Sequence, residues 1–293
     1  MSQNWPQFSN MASSFEELLR HRYAPGTRPS YSSALNSFNI FCAAYDLQPG
    51  PERYCDMVYQ PVFCAWLMYL KEKPVIFETA RKYFAAVKSQ TQCLGVVLPF
   101  SDMPVLVALQ KSWKRQENPP PLKIALSEAI IEAIADKYRY TEPMFVAAMI
   151  FAFRTLARIS EVLALKWLSE LNRPQHKAFR LTRAKTDPFG EEGQILALKE
   201  EEWTMVKELL PRSRRGQVFP LKRTPFMNWL KDAATNIAPN FMSNQVGKDI
   251  SLRRSGAQSL YNAGHSLPMV REKGRWKGES WRRYIDTSTR VLV

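Results

Sequence analysis

Four short strings in this 293-residue chain carry side chains able to do chemistry on an anion. Phe153–Trp167, FRTLARISEVLALKW, holds Arg158 and Glu161 three residues apart in a helical pattern. RAKTDPFG contains Lys185, ISLRRSGAQSLYNAG (Ile250–Gly264) contains Arg253, and GRWKGESWRRYI (Gly274–Ile285) ends just past Tyr284. A guanidinium is planar, permanently charged and donates forked hydrogen bonds to phosphate or carboxylate oxygens. An ammonium shifts its pKa readily and can release a proton, and a phenol is among the side chains that form covalent intermediates. Taken singly, each string has an ordinary reading. Arg158 and Glu161 would be a surface ion pair, Lys185 a solvated hairpin lysine and Tyr284 a half-buried core tyrosine.

Taken together and in this order, the strings resemble the boxes of the tyrosine recombinases of the phage-integrase type. The first box of that family reads roughly T-G-x-R-x-x-E followed by Leu and Trp. Thr155, Arg158, Glu161, Leu165 and Trp167 fall in register with it, and Leu156 stands where glycine is usual. Lys185 is similar to the family's hairpin lysine, Arg253 to the arginine of its H-x-x-R box, and the closing string to the box that ends in the nucleophile. The wording GRWK and RRYI looks closest to recombinases of eukaryotic mobile elements, the DIRS and Crypton groups. The resemblance covers the chain from roughly residue 125 to the end.

This resemblance implies a site-specific recombinase that cleaves and rejoins DNA through a covalent 3′-phosphotyrosine. Tyr284 would be the nucleophile, and Arg158 and Arg253 would clamp the nonbridging oxygens as charge builds there. Lys185 would protonate the leaving 5′ oxygen. Glu161 would support Arg158 from behind. Because the phosphotyrosine keeps the bond energy, neither metal nor other cofactor is expected. One departure is chemical: Ile250 occupies the position of the usual histidine and can neither accept a proton nor bond a phosphate. The family's other variable position, His or Trp, falls on Arg275 by spacing to Tyr284 and on Trp276 by local wording. We take Trp276 as the site residue, able to donate from its indole and buttress the tyrosine, with Arg275 as an electrostatic alternative. The expected partners are double-stranded DNA and further copies of the chain, a dimer on each site and a tetramer in synapsis. The rival class is a DNA-binding protein that kept the fold and lost catalysis; a topoisomerase that needs no synapsis shares the same active site.

The elements that must position these residues follow from periodicity. Helical patterns run over Ser30–Tyr45, Gln60–Lys71, Phe77–Leu94 and Pro104–Trp113, predicting a small helical N-terminal core-binding domain over residues 1–118. A further helix is expected to start at Phe15, capped by Ser13 or Ser14. Residues 119–124, with three consecutive prolines, predict a stiff linker. Residues 125–293 predict an α+β catalytic domain. Its helices are expected at Ser127–Lys137, Pro143–Phe153, Ser160–Trp167, Glu200–Leu210, Pro225–Ala234, Leu252–Ala263, Leu267–Lys273 and Ser280–Ile285, with a β-hairpin between Ala178 and Leu198. The fold class is therefore mainly α with a small β-hairpin or sheet.

The balance of 41 basic against 27 acidic residues gives +14, a field that attracts a polyanion. The apolar content of 45% excludes wholesale disorder. Cys42, Cys55, Cys64 and Cys93 lack zinc spacing and predict buried reduced thiols. The opening residues lack a signal-peptide pattern and no stretch of about 18 uncharged apolar residues occurs. The expectation is an intracellular, DNA-associated protein with no membrane partner, nuclear if the host is eukaryotic.

Overall fold

The computed structural model describes residues 23, 27–118, 123–173, 175–182, 193–245 and 247–287. The chain divides into two compact units, Met1–Pro120 and Pro121–Val293. The first packs helices α1 (Arg28–Ala44), α2 (Gln60–Glu72), α3 (Phe77–Gln92) and α4 (Pro104–Gln116). Proline stands in the first turn of α1, α2 and α4, where its missing N–H is not needed. Their apolar faces meet in an aromatic core in which Trp66 meets Phe38 edge-on at 5.0 Å and Phe84 at 4.5 Å. The helix expected from Phe15 lies outside the described residues.

The four cysteines are free, but they are not all buried as expected. Cys42 is buried and Cys64 half-buried, whereas Cys55 and Cys93 are exposed. Cys55 follows a single 3-10 turn and Cys93 caps α3, so both sit in surface turns with no core to face.

The second unit contains α5 (Glu128–Tyr138), α6 (Pro143–Thr155), α7 (Ile159–Leu163), α8 (Glu200–Glu208), α9 (Arg223–Ile237), α10 (Pro239–Ser243), α11 (Leu252–Asn262) and α12 (Leu267–Lys273). Between α7 and α8 lies an antiparallel sheet of β1 (Glu170–Arg173), β2 (His176–Arg180) and β3 (Ile195–Lys199). Phe179 pairs with Leu196 across β2 and β3, and its ring packs on Phe151 and Trp203. Helix α6 is buried along most of its length, Val146–Phe153, so it forms the axis of this unit.

The expected helix over Ser160–Trp167 stops at Leu163. Leu163, Leu165 and Trp167 are buried while Ala164 and Lys166 are exposed, a period of two that marks extended chain. The backbone there pairs with a second segment: Trp167 N–H donates to the Gly216 carbonyl and Val218 N–H to that of Leu165. Strand β1, which follows at once, carries no alternating apolar signal and was not expected. The hairpin also starts earlier than expected, since its first strand, β2, begins at His176. The hairpin tip, residues 183–192 with Lys185, lies outside the described residues, as do residues 119–122 of the linker and 288–293 of the tail. No helix among the described residues is long and apolar enough to cross a membrane.

Helices α6 and α11 approach closely at Gly256. A Cβ there would lie 2.1 Å from the Phe153 carbonyl oxygen, a backbone atom that cannot swing aside. In an exposed helix, Gly→Ala stabilises by about 1 kcal/mol. Here the sign reverses: overpacking costs typically about 1–3 kcal/mol and outweighs the propensity gain. We expect Gly256→Ala to lower the thermal midpoint of the purified chain by several degrees, and an unchanged or raised midpoint would contradict the contact.

Candidate active site

Helix α6 ends at Leu156, whose φ of 51° lies in the left-handed region that a helix C-terminus ordinarily reserves for glycine. The conformation costs a leucine roughly 1–2 kcal/mol. Leu156 is fully buried among Ala257, Tyr261, Trp276 and Trp281, a burial worth about 1.5–3 kcal/mol, so packing retains the leucine.

This left-handed turn redirects the chain so that Arg158 is the N-cap of α7, in extended conformation, rather than a residue within the same helix as Glu161. The i, i+3 spacing therefore encodes one half of a capping box, the Glu161 carboxylate reaching back to the N-cap N–H, and not a helix-surface pair. Arg158 N–H donates to Glu161 Oε2 at 2.9 Å and its Nη1 to Oε1 at 2.6 Å. Glu161 is buried, and it also accepts from Arg275 Nη2 at 2.8 Å. Burial alone would push this carboxyl up. The Arg275 guanidinium, together with hydrogen bonds from Arg158 and Arg275, outweighs burial and holds it below the usual carboxylate range.

Helix α11 supplies Arg253. Its start is set by a parallel bridge in which Ile124 N–H donates to the Asp249 carbonyl and Ser251 N–H to the Ile124 carbonyl. Ile250, at the centre of this bridge, is buried in the main core of the unit, which explains why an apolar side chain is held at that position. Arg253 is 4% exposed, donates from Nη2 to the Gly274 carbonyl, and lies over the Trp276 ring at 4.5 Å and the Tyr284 ring at 5.6 Å. Burial, then repulsion from Arg158 and Arg275, lowers its pKa to about 10.

At the end of α12, Arg275 takes a left-handed φ of 57° and Trp276 packs against Tyr284 at 5.1 Å. Gly274 makes room for that indole, because a Cβ there would sit 1.8 Å from the ring. Its φ of −78° is ordinary, so the requirement is space alone. Gly274→Ala is expected to displace Trp276 and cost about 1–3 kcal/mol of stability. Near-ultraviolet circular dichroism and denaturant unfolding would check this, and native values in both would refute it.

Tyr284 is half-buried and follows the closing 3-10 turn Glu279–Arg283. Two side chains one helical turn apart on α11 tether that turn. Arg254 Nη1 donates to the Arg283 carbonyl at 2.7 Å, and the Gln258 amide pairs with the Asp286 backbone at 2.7 and 3.2 Å. The sequence reading missed both tethers, since an i, i+4 pair of polar residues on a helix is ordinary surface pattern. It also did not foresee the Arg275–Glu161 pair. The structure thus brings Arg158, Glu161, Arg253, Arg275, Trp276 and Tyr284 to one place. His265, outside the site strings, is half-buried just past α11.

The fold is that of the tyrosine recombinases and integrases. Among similar solved structures is the Tn1549 transposon integrase in complex with transposon right end DNA, 12% identical over 92% of this chain and 91% of that chain, TM-score 0.60. A lambda integrase tetramer bound to a Holliday junction is 13% identical over 96% and 78%, TM-score 0.57. A lambda integrase dimer bound to a COC′ core site is 13% identical over 92% and 94%, TM-score 0.55. No family profile and no curated protein sequence matches the chain.

Proposed function

We propose that this chain cleaves and rejoins duplex DNA at specific sites, with Tyr284 as the nucleophile. One observation carries the reading: the buried Arg253 guanidinium lies over the rings of both Trp276 and Tyr284, beside the Arg158–Glu161–Arg275 network. Charges so placed favour a phosphate next to the phenol.

The Tyr284 oxygen attacks phosphorus, the bond from phosphorus to the 5′ oxygen breaks, and the 3′ phosphate stays on the tyrosine. Arg158 and Arg253 bind the nonbridging oxygens. Lys185 gives its proton to the departing 5′ oxygen. With Ile250 in the core, the phenol proton passes to water. Rejoining runs the same steps backwards without ATP. The first unit and the basic surface hold the duplex mainly through phosphates. Dimers form on each site and pair into a tetramer, and the wording of the closing string supports a mobile-element recombinase.

The test begins with duplexes selected by binding from a random pool. Versions nicked near the bound site are incubated with the chain and resolved on a denaturing gel. The expected result is a covalent adduct whose modified peptide contains Tyr284. Tight binding without any adduct would favour a non-catalytic DNA-binding protein, the reading to which Ile250 lends weight.

A further inference from the structure

We propose that Arg275 is a third guanidinium that binds the reacting phosphate, and that Trp276 serves as the apolar platform beneath Arg253 and Tyr284 rather than as a donor to the phosphate. The inference rests on the reading of Tyr284 as nucleophile but can fail separately from it.

The charge inventory of the site is unbalanced. Arg158 and Arg275 both hydrogen-bond to the carboxylate of Glu161, while Arg253 has only the Gly274 carbonyl. Three cations thus face a single anion among the groups these arginines bond. Nε and Nη1 of Arg253, and equally Nε and Nη1 of Arg275, are buried with no hydrogen-bond partner. Buried charged donors are ordinarily satisfied, because leaving them unpaired forfeits hydration with nothing in return. Their shared deficit is what an anion with several oxygens would fill. The lowered pKa of Arg253, caused by burial and by its two neighbouring guanidiniums, is the same deficit seen as repulsion.

Arg275 also carries backbone strain, and strained positions that persist are over-determined by their surroundings. Here the surroundings are Glu161 on one side and the wedged Trp276 on the other. Trp276 by contrast is committed: Arg253 and Tyr284 both pack on its ring and Gly274 leaves no spare room.

A purely structural Arg275 would only orient Glu161. The two roles separate on a substrate whose scissile phosphate is replaced by an uncharged methylphosphonate, which removes the charge that the guanidinium neutralises. Arg275→Gln is expected to slow adduct formation on ordinary nicked DNA by about 10²–10³-fold, the usual effect of losing one preorganised donor. On the methylphosphonate the loss should shrink to less than about 10-fold, whereas Trp276→Phe should show no such substrate dependence. Equal losses for Arg275→Gln on both substrates would overturn the proposal. Titration with inorganic phosphate, followed by tryptophan fluorescence, gives an arm independent of cleavage. Arg275→Gln should weaken phosphate binding about 10-fold or more, and Arg275→Lys, which keeps the charge, by less. Unchanged binding in Arg275→Gln would overturn the proposal. If the native chain forms no adduct but binds phosphate in this Arg275-dependent way, the Tyr284 reading fails and the anion site stands.

Discussion

Tyr284→Phe is expected to lower covalent adduct formation on nicked DNA by at least about 10⁴-fold, while DNA affinity and the unfolding midpoint stay at native values. Loss of a nucleophile removes the covalent path itself, which is why such losses reach about 10⁶-fold in well-studied hydrolases. The substitution is conservative for packing. The Tyr284 ring packs against Trp276 and lies beneath the Arg253 guanidinium, and phenylalanine retains a ring for both contacts. Only the hydroxyl is lost. Adduct formation that survives in Tyr284→Phe would identify another nucleophile and overturn the assignment.

Arg253→Met should move activity and stability in opposite directions. Cleavage is expected to fall about 10³-fold, because a clamp on the developing phosphate charge is removed. Stability in the absence of DNA is expected to be unchanged or to rise by about 1–3 kcal/mol, since a buried, under-partnered cation is replaced by an apolar chain of similar length. The sign follows from the pKa of about 10, which lies below that of a freely hydrated arginine. At neutral pH folded and unfolded chains both carry the charge, so the full cost of holding it in the folded state is present. That cost fades only as pH rises above about 10, where the folded state gives up the proton first. Urea unfolding at neutral pH, paired with cleavage rates, measures both effects. A marked loss of stability would mean that Arg253 is chiefly a structural strut. The expected trade is that of a site kept charged for its ligand at the expense of the free protein.

Much of the architecture was legible in the sequence because it is local. The helices of the first unit follow from apolar residues recurring every three to four positions, as Phe38, Phe41 and Cys42 do in α1. The expected bounds Leu267–Lys273 match the helix, and the structure shows the Ser266 side chain capping it. The errors around the first box have one origin. Leu163, Leu165 and Trp167 fit a helix or a strand equally well, and their extended course is set by pairing with residues 216–218, far along the chain. Strand β1 has no apolar alternation and exists because β2 offers it partners.

The sequence by itself determined which groups this protein has for chemistry, a phenol, several guanidiniums and a carboxylate, and the order in which they come along the chain. Only the tertiary structure decided how they act on one another. It made Arg158 a cap rather than a helix-surface residue, joined Arg275 to Glu161 across 114 positions of chain, and set the Arg253 guanidinium over both Trp276 and Tyr284. The physical reason is reach: side-chain periodicity reports on neighbours within about one helical turn. The charge balance of a site depends on residues brought together by packing, here where Gly256 lets α11 lie against the backbone of α6.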